Sequence, residues 1–169
     1  MQWPLRNARW LLLSVAVFLL DQWTKHLVVA SFSYREVLPV FSVGDSWGFN
    51  LVLAHNYGAA FSFLADHAGW QRWFFAAIAV VVSSGLTIWL LRLPAGQKWL
   101  AAALALLVGG ALGNLYDRVL LGYVVDFLDV WAGRYHWPAF NVADSAICVG
   151  AGLLLLEQWL DGKPAEQKP

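Results

Sequence analysis

The chain has 169 residues, 60% of them hydrophobic and only 13% charged, with a mean hydropathy of +0.57. A soluble domain is nearer about half apolar and about one quarter charged, so this balance excludes an ordinary soluble fold and points to the bilayer. Formal net charge is zero, so no basic balance argues for nucleic-acid binding, and the single Cys148 excludes an intramolecular disulfide and is expected to be a buried apolar side chain.

Met1 to Arg9 is a short polar lead carrying Arg6 and Arg9, followed by an apolar run from Trp10 to Leu20 that resumes from Leu27 to Phe32. A basic start before an apolar core resembles a secretory signal, and Val28-Val29-Ala30 resembles a cleavage site. Asp21, Gln22, Thr24 and Lys25 interrupt the run before that site, unlike an ordinary signal. The reading is therefore one uncleaved helix over about 10–30, long enough for a hydrocarbon core of roughly 30 Å. A second span is expected over 71–91, with no charge from Trp73 to Leu91 and a stop at Arg92 and Pro94. A third is expected over 98–121, where Gly109, Gly110 and Gly113 allow helices to approach closely. The fourth covers 140–160, and the polar tail 161–169 is expected to be disordered.

The connection over 31–68 is too long for a simple helix link. Val37–Phe41 and Phe49–Leu53 favour strand, with Gly44, Asp45 and Gly48 as turn residues. The expected fold is an all-α polytopic membrane protein: four transmembrane helices with a small β-containing extracytoplasmic cap between helices 1 and 2. Placing both termini inside puts Arg6, Arg9, Arg92, Lys98, Lys163 and Lys168 on the cytoplasmic side. Lys25, Arg35, Arg72, Arg118 and Arg134 fall on the other, and the bias sharpens once Lys25 and Arg118, which sit among acids within helices, are set aside. Trp10, Trp89, Trp99 and Trp159 would mark the inner interface, and Trp70, Trp73, Trp131 and Trp137 the outer one.

Ionisable groups at membrane depth are costly to bury and mark function by default. At 1.5 Å per residue Asp21 lies about 16 Å above Trp10, past the midplane. Asn114, Asp117 and Arg118 occupy the outer part of the third span, Asp126 follows it, Asp144 sits one turn into the fourth, and Asn56 lies in the outer loop. Polar residues from four separate segments thus converge on one depth. Asp21 and Lys25, four apart, share a helix face and read as a structural ion pair. Asn114, Asp117 and Arg118 read as supports, Asn56 as a substrate contact, and Asp129 as a solvated loop charge. His26, His55, His67 and His136 show no ligand spacing, so no metal is expected.

The chemistry this permits is that of paired carboxylates. Two close carboxyls cannot both ionise cheaply, so a pair such as Asp126 and Asp144 holds one proton near neutrality. The charged member takes a proton from water while the neutral member donates to a substrate carbonyl. No G-x-S-x-G or H-E-x-x-H motif supports another hydrolase class. The bland alternative is a pair of helix-end carboxylates, with Asp144 favoured by the helix dipole. A proton- or ion-coupled transporter using intramembrane Asp and Lys is the rival function, against which stands the lack of an inverted repeat with broken helices. A noncatalytic lipid-binding module is a third reading, and it needs no second acid.

At these residues the sequence resembles the lipoprotein signal peptidase (signal peptidase II) family of bacterial inner-membrane aspartyl proteases. The matching blocks are Asp21-Gln22-Trp23-Thr24-Lys25, Asn56-Tyr57-Gly58-Ala59-Ala60-Phe61, the Gly109–Arg118 block, Val125-Asp126-Phe127 and Phe140-Asn141-Val142-Ala143-Asp144. They run from the first helix to the fourth in family order. The resemblance implies that Asp126 and Asp144 are the catalytic dyad and that Asp21, Lys25, Asn56, Gly58, Asn114, Asp117, Arg118 and Asn141 form the supporting and substrate-binding shell. It implies removal of signal peptides from prolipoproteins just before a diacylglyceryl-modified cysteine, with water activated between the two Asp and no cofactor. It also implies a multi-pass protein of the bacterial inner membrane, N-in and C-in, with the site near the periplasmic side, inhibited by the cyclic peptide globomycin. A monomer is expected, with the phospholipid bilayer as its surroundings. Phe61, Phe127 and Phe140 are expected to supply apolar contacts to the substrate.

Overall fold

The structure, a computed structural model, describes residues 5–58 and 69–161. Phe61, His67 and the tail beyond 161 lie outside the described residues. A 3-10 turn over Leu5–Trp10 leads into α1 (Leu11–Ser31). Two strands follow, β1 (Val37–Val43) and β2 (Trp47–Asn56), then α2 (Trp70–Arg92) and α3 (Lys98–Leu120). Strands β3 (Val124–Ala132) and β4 (Tyr135–His136) precede α4 (Val142–Asp161). Within the described residues four helices are long and apolar enough to cross a bilayer. Helices meet that demand because each satisfies its backbone hydrogen bonds internally, where lipid offers no partners.

The centre of the bundle is α3. Half of its apolar window is buried, against 28% for α1, 17% for α2 and 11% for α4, and the other three helices all pack on it. Three glycines set the approach. A Cβ on Gly109 would stand 2.7 Å from the Ser14 carbonyl oxygen of α1, and one on Gly113 would stand 2.6 Å from Asp21 Oδ2. A Cβ on Gly110 would strike the Ala143 carbonyl oxygen of α4. A buried side-chain bond reinforces this packing, Ser14 Oγ donating to the Ala105 carbonyl at 2.8 Å, and Asn7 Nδ2 ties the 3-10 turn to the end of α2 through the Leu93 carbonyl at 2.8 Å. The buried face of α1 reads Ser14, Val17, Asp21, Lys25, Val28, a helical stripe that turns polar as it rises.

The cap is larger than the sequence suggests. Its sheet is antiparallel with order β1-β2-β3-β4, so half of it comes from the connection between α3 and α4. The segment that carries Asp126 is therefore a strand, with Val124, Val125 and Phe127 buried and Val125 and Phe127 packed with Val28 and Leu53. Because the sheet joins the segment after α1 to the segment after α3, both lie at the same end of the bundle. Gly48 is not a turn residue. It lies inside β2, where an added Cβ would meet the Trp131 ring within 2.6 Å. Gly44, at φ 52°, does hold the β1–β2 turn.

Candidate active site

The site forms where the C-terminal ends of α1 and α3 and the N-terminal end of α4 meet β2 and β3. α4 begins with two capped amides. Asn141, at its N-cap, accepts the Asp144 N–H on Oδ1 at 2.9 Å, and Asp21 Oδ1 accepts the Ala143 N–H at 2.9 Å. Asp144 is thereby fixed in the first turn of α4. Asp126 is set by the ladder, where it pairs with Ala54 of β2 just past a register shift between Leu51 and Ala54.

The ten residues assigned to the dyad and its shell join one connected network. Lys25 Nζ stands 2.8 Å from Asp21 Oδ2, 2.8 Å from Asp117 Oδ2 and 3.1 Å from Asn114 Oδ1. Asn114 Nδ2 donates to Asp144 Oδ1 at 2.7 Å, and Asn141 Nδ2 donates to Asp126 Oδ1 at 2.7 Å and to Asn114 Oδ1 at 3.2 Å. Asn56 Nδ2 donates to the other oxygen of Asp126 at 3.1 Å. The Asn56 oxygen accepts the Gly58 N–H at 3.0 Å, and the Gly58 carbonyl accepts from Arg118 Nη2 at 3.0 Å. Arg118 closes the circuit by donating to the Asn114 carbonyl at 3.3 Å.

Asp21, Asp117, Asp126 and Asn141 are at most 2% exposed, so each carboxylate needs compensation. Asp117 has Lys25, the Val125 N–H at 3.1 Å and Gln22 Nε2 at 2.9 Å. Gln22 is a member that sequence reasoning left out of the site, although the Asp21–Lys25 block contains it. Asp126 has two amide donors and no cation within ion-pair distance among the described salt bridges. Burial first, and the nearby Asp144 charge second, push its carboxyl up to about 7, with the Asn56 and Asn141 hydrogen bonds opposing. A carboxyl balanced there exchanges its proton at neutral pH, which is what acid–base work requires.

Asp126 and Asp144 both face a cleft of about 750 Å³, together with Asn56, Asn114 and Arg118. Its other wall is apolar: Trp137 to Phe140 ahead of α4, then Ile147 and Cys148 on α4. Cys148 is exposed rather than buried, because it sits on the face of α4 turned toward this cleft and away from α3. Phe140 lines the cleft, whereas Phe127 packs into the core beneath the sheet. A second groove of about 610 Å³, along α1 and α3, is lined by apolar side chains such as Phe18, Leu112 and Tyr116 and contains none of the ionisable network.

Asp129 corrects another expectation. It is buried in β3, accepting from Asn50 Nδ2 at 2.7 Å and pairing with His136 Nδ1 at 2.8 Å. A residue read as a loop charge became a sheet contact because its strand pairs with one 79 positions earlier. His55 stacks on Tyr123 with ring centres 3.9 Å apart, and burial lowers its pKa, which favours a neutral ring.

Comparison with known proteins gives the family and the fold. The profile of the family described as signal peptidase (SPase) II matches residues 13–160. A lipoprotein signal peptidase of Pseudomonas aeruginosa is 54% identical over 158 residues, covering 93% of this chain and 91% of the relative. One of Vibrio vulnificus is 51% identical over 156 residues, covering 89% and 88%. A bacterial membrane enzyme solved by the in meso method at 2.3 Å resolution superposes with a TM-score of 0.82 at 30% identity, covering 96% of this chain and 94% of that one. With the family profile spanning most of the chain and relatives above half identity, the chain belongs to the signal peptidase II family.

Proposed function

We propose that Asp126 and Asp144 are the catalytic pair with which this aspartic endopeptidase removes signal peptides from lipoprotein precursors in a bacterial membrane. What supports the assignment is that the two carboxyls face one cleft and share Asn141, which donates to Asp126 and accepts the Asp144 amide. One carboxyl keeps a proton and the other is charged. The charged one draws a proton from a water, the water attacks the scissile carbonyl, and the neutral one protonates the carbonyl oxygen. On collapse of the gem-diol the proton taken from water passes to the leaving amine, while a gem-diol O–H returns a proton to the other carboxylate as the carbonyl re-forms, so the pair ends as it began, with no covalent enzyme intermediate. Asn56 and Arg118, on the cleft wall, are suited to hold the backbone of an extended substrate.

The scissile bond in this proposal precedes a diacylglyceryl-modified cysteine. The lipid would hold the bond at membrane depth, against the apolar wall formed by Phe140, Ile147 and Cys148. The protein works as a monomer in the inner membrane, N-in and C-in, with the sheet and the cleft on the periplasmic side, and the cyclic peptide globomycin competes for the cleft. Membership of an endopeptidase family leaves the transporter alternative without support. The test is cleavage by purified protein of one precursor with and without its diacylglyceryl group. Cleavage of the lipidated form alone, leaving the modified cysteine as the new N-terminus, is expected. Equal cleavage of both forms contradicts the substrate assignment. A C-terminal reporter is expected to read cytoplasmic, and an extracytoplasmic reading overturns the topology.

A further inference from the structure

The amide of Asn114 lies between a cation and the catalytic pair. Lys25 has three N–H bonds and no acceptor, and it faces three oxygens: Asp21 Oδ2, Asp117 Oδ2 and Asn114 Oδ1. A second donor, Asn141 Nδ2, meets the same Asn114 oxygen. Turning the Asn114 amide over would set its N–H groups against both donors and its oxygen against Asp144. The ammonium therefore decides which end of the amide faces the cleft, and the end that does so is the N–H donor, 2.7 Å from Asp144 Oδ1.

We infer that Lys25 is a positioning residue which, by fixing the Asn114 amide, makes Asp144 the charged base of the pair and leaves Asp126 as the acid. The inference rests on the catalytic reading above and adds a division of labour to it. A hydrogen bond from a fixed donor favours the anion it meets. Asp144 has further help from its place in the first turn of α4, where the helix dipole stabilises negative charge. Other charges act on Asp144: Arg118 of α3 and Lys25 of α1 favour the anion, while Asp126 of β3 and Asp21 of α1 oppose it. Asp126 has donors of its own in Asn56 and Asn141, but it lies in a strand with no helix terminus and is 2% exposed where Asp144 is only partly buried, so desolvation weighs more heavily on its anion. Lys25 does not touch the cleft, so its influence passes through Asn114.

The experiment is the pH dependence of kcat/KM for a lipidated precursor, whose acid limb reports ionisation of the pair as a whole. Asn114→Leu removes the donor. Asn114→Asp keeps an oxygen for Lys25 but turns a second oxygen on Asp144. Both should move the acid limb to higher pH by about one unit or more, with KM little changed. A triple variant, Asp21→Asn with Lys25→Met and Asp117→Asn, removes the cation without stranding the two acids and keeps oxygens for the Ala143 and Val125 amides. It should move the limb in the same direction, and adding Asn114→Leu to it should give no further movement. A limb that stays in place in variants that fold and cleave more slowly at every pH means that the network is only structural, and overturns the inference. That outcome leaves the dyad intact. Cleavage by Asp126→Asn or Asp144→Asn is the separate result that defeats the dyad itself.

Discussion

Asp126→Asn should stabilise the protein at alkaline pH while abolishing its chemistry. The carboxyl of Asp126 moves from 3.8 to about 7 on folding. At about 1.36 kcal/mol per pH unit, holding it as an anion costs the folded state about 4 kcal/mol. Below 3.8 both folded and unfolded chains carry the proton. Between 3.8 and 7 only the folded chain does, so stability from this group falls as pH rises through that window and levels off above it. An Asn at this position has no charge to desolvate. It turns an N–H toward either Asn56 or Asn141, both of which donate in the native site, and so loses one hydrogen bond worth about 1–2 kcal/mol. The net gain at pH 8 is about 2 kcal/mol, or roughly 4–8 °C in Tm for a chain of this size. At pH 4 the same variant should be less stable than the parent by about 1 kcal/mol. Thermal unfolding in detergent, followed through the eleven tryptophans, reads both values. A variant equally destabilised at pH 4 and pH 8 would refute the reasoning, because Asp126 would then carry no burial penalty to relieve.

The remaining predictions concern the frame around the pair. Lys25→Met strands two buried carboxylates, Asp21 and Asp117, and should cost about 3–5 kcal/mol, most of it recovered by the neutral triple variant. A Tm unaffected by Lys25→Met would show that the ion triad contributes nothing. Gly109→Ala drives a Cβ into the Ser14 carbonyl and to 2.8 Å from Val17 Cβ, and should destabilise by about 1–3 kcal/mol because backbone must move; a neutral result would mean that α1 and α3 pack less closely than described. Asp129→Ala leaves Asn50 without its partner and should cost about 1–3 kcal/mol in stability while cleavage persists where the variant is folded. Lost turnover in folded Asp129→Ala would show that the sheet contact is part of the chemistry.

The four spans were legible because uncharged or nearly uncharged apolar runs of membrane length favour helices, and the observed helices begin and end within two residues of those expected. The polar residues were legible for the same reason: Asp21, Lys25, Asn114 and Asp117 stand out against an apolar background. What the sequence did not disclose is pairing. Val124 to Ala132 carries no strand expectation, since its V-V-D-F-L-D-V pattern lacks the clean alternation of a half-solvated strand. Without that strand, Asp126 had no defined place and Asp129 appeared solvated. Gly48 reads as a turn residue in the sequence because its partner Trp131 lies across the sheet, far away in the chain. Cys148 reads as buried because it lies in an apolar run, but an apolar helix inside a bilayer exposes apolar side chains to lipid and to the cleft, so burial does not follow from composition. The direction of the Asn114 amide is of the same kind. It follows only from the ammonium on one side of it and the carboxylate on the other.

The central claim is that Asp126 and Asp144 act together on the scissile bond. Its most direct test is single-turnover cleavage of a diacylglyceryl-modified precursor by Asp126→Asn and by Asp144→Asn, each shown by its unfolding transition to be folded and by a binding assay to hold the precursor. Neither variant is expected to release signal peptide although both bind. Release by either at a rate near that of the parent contradicts the account.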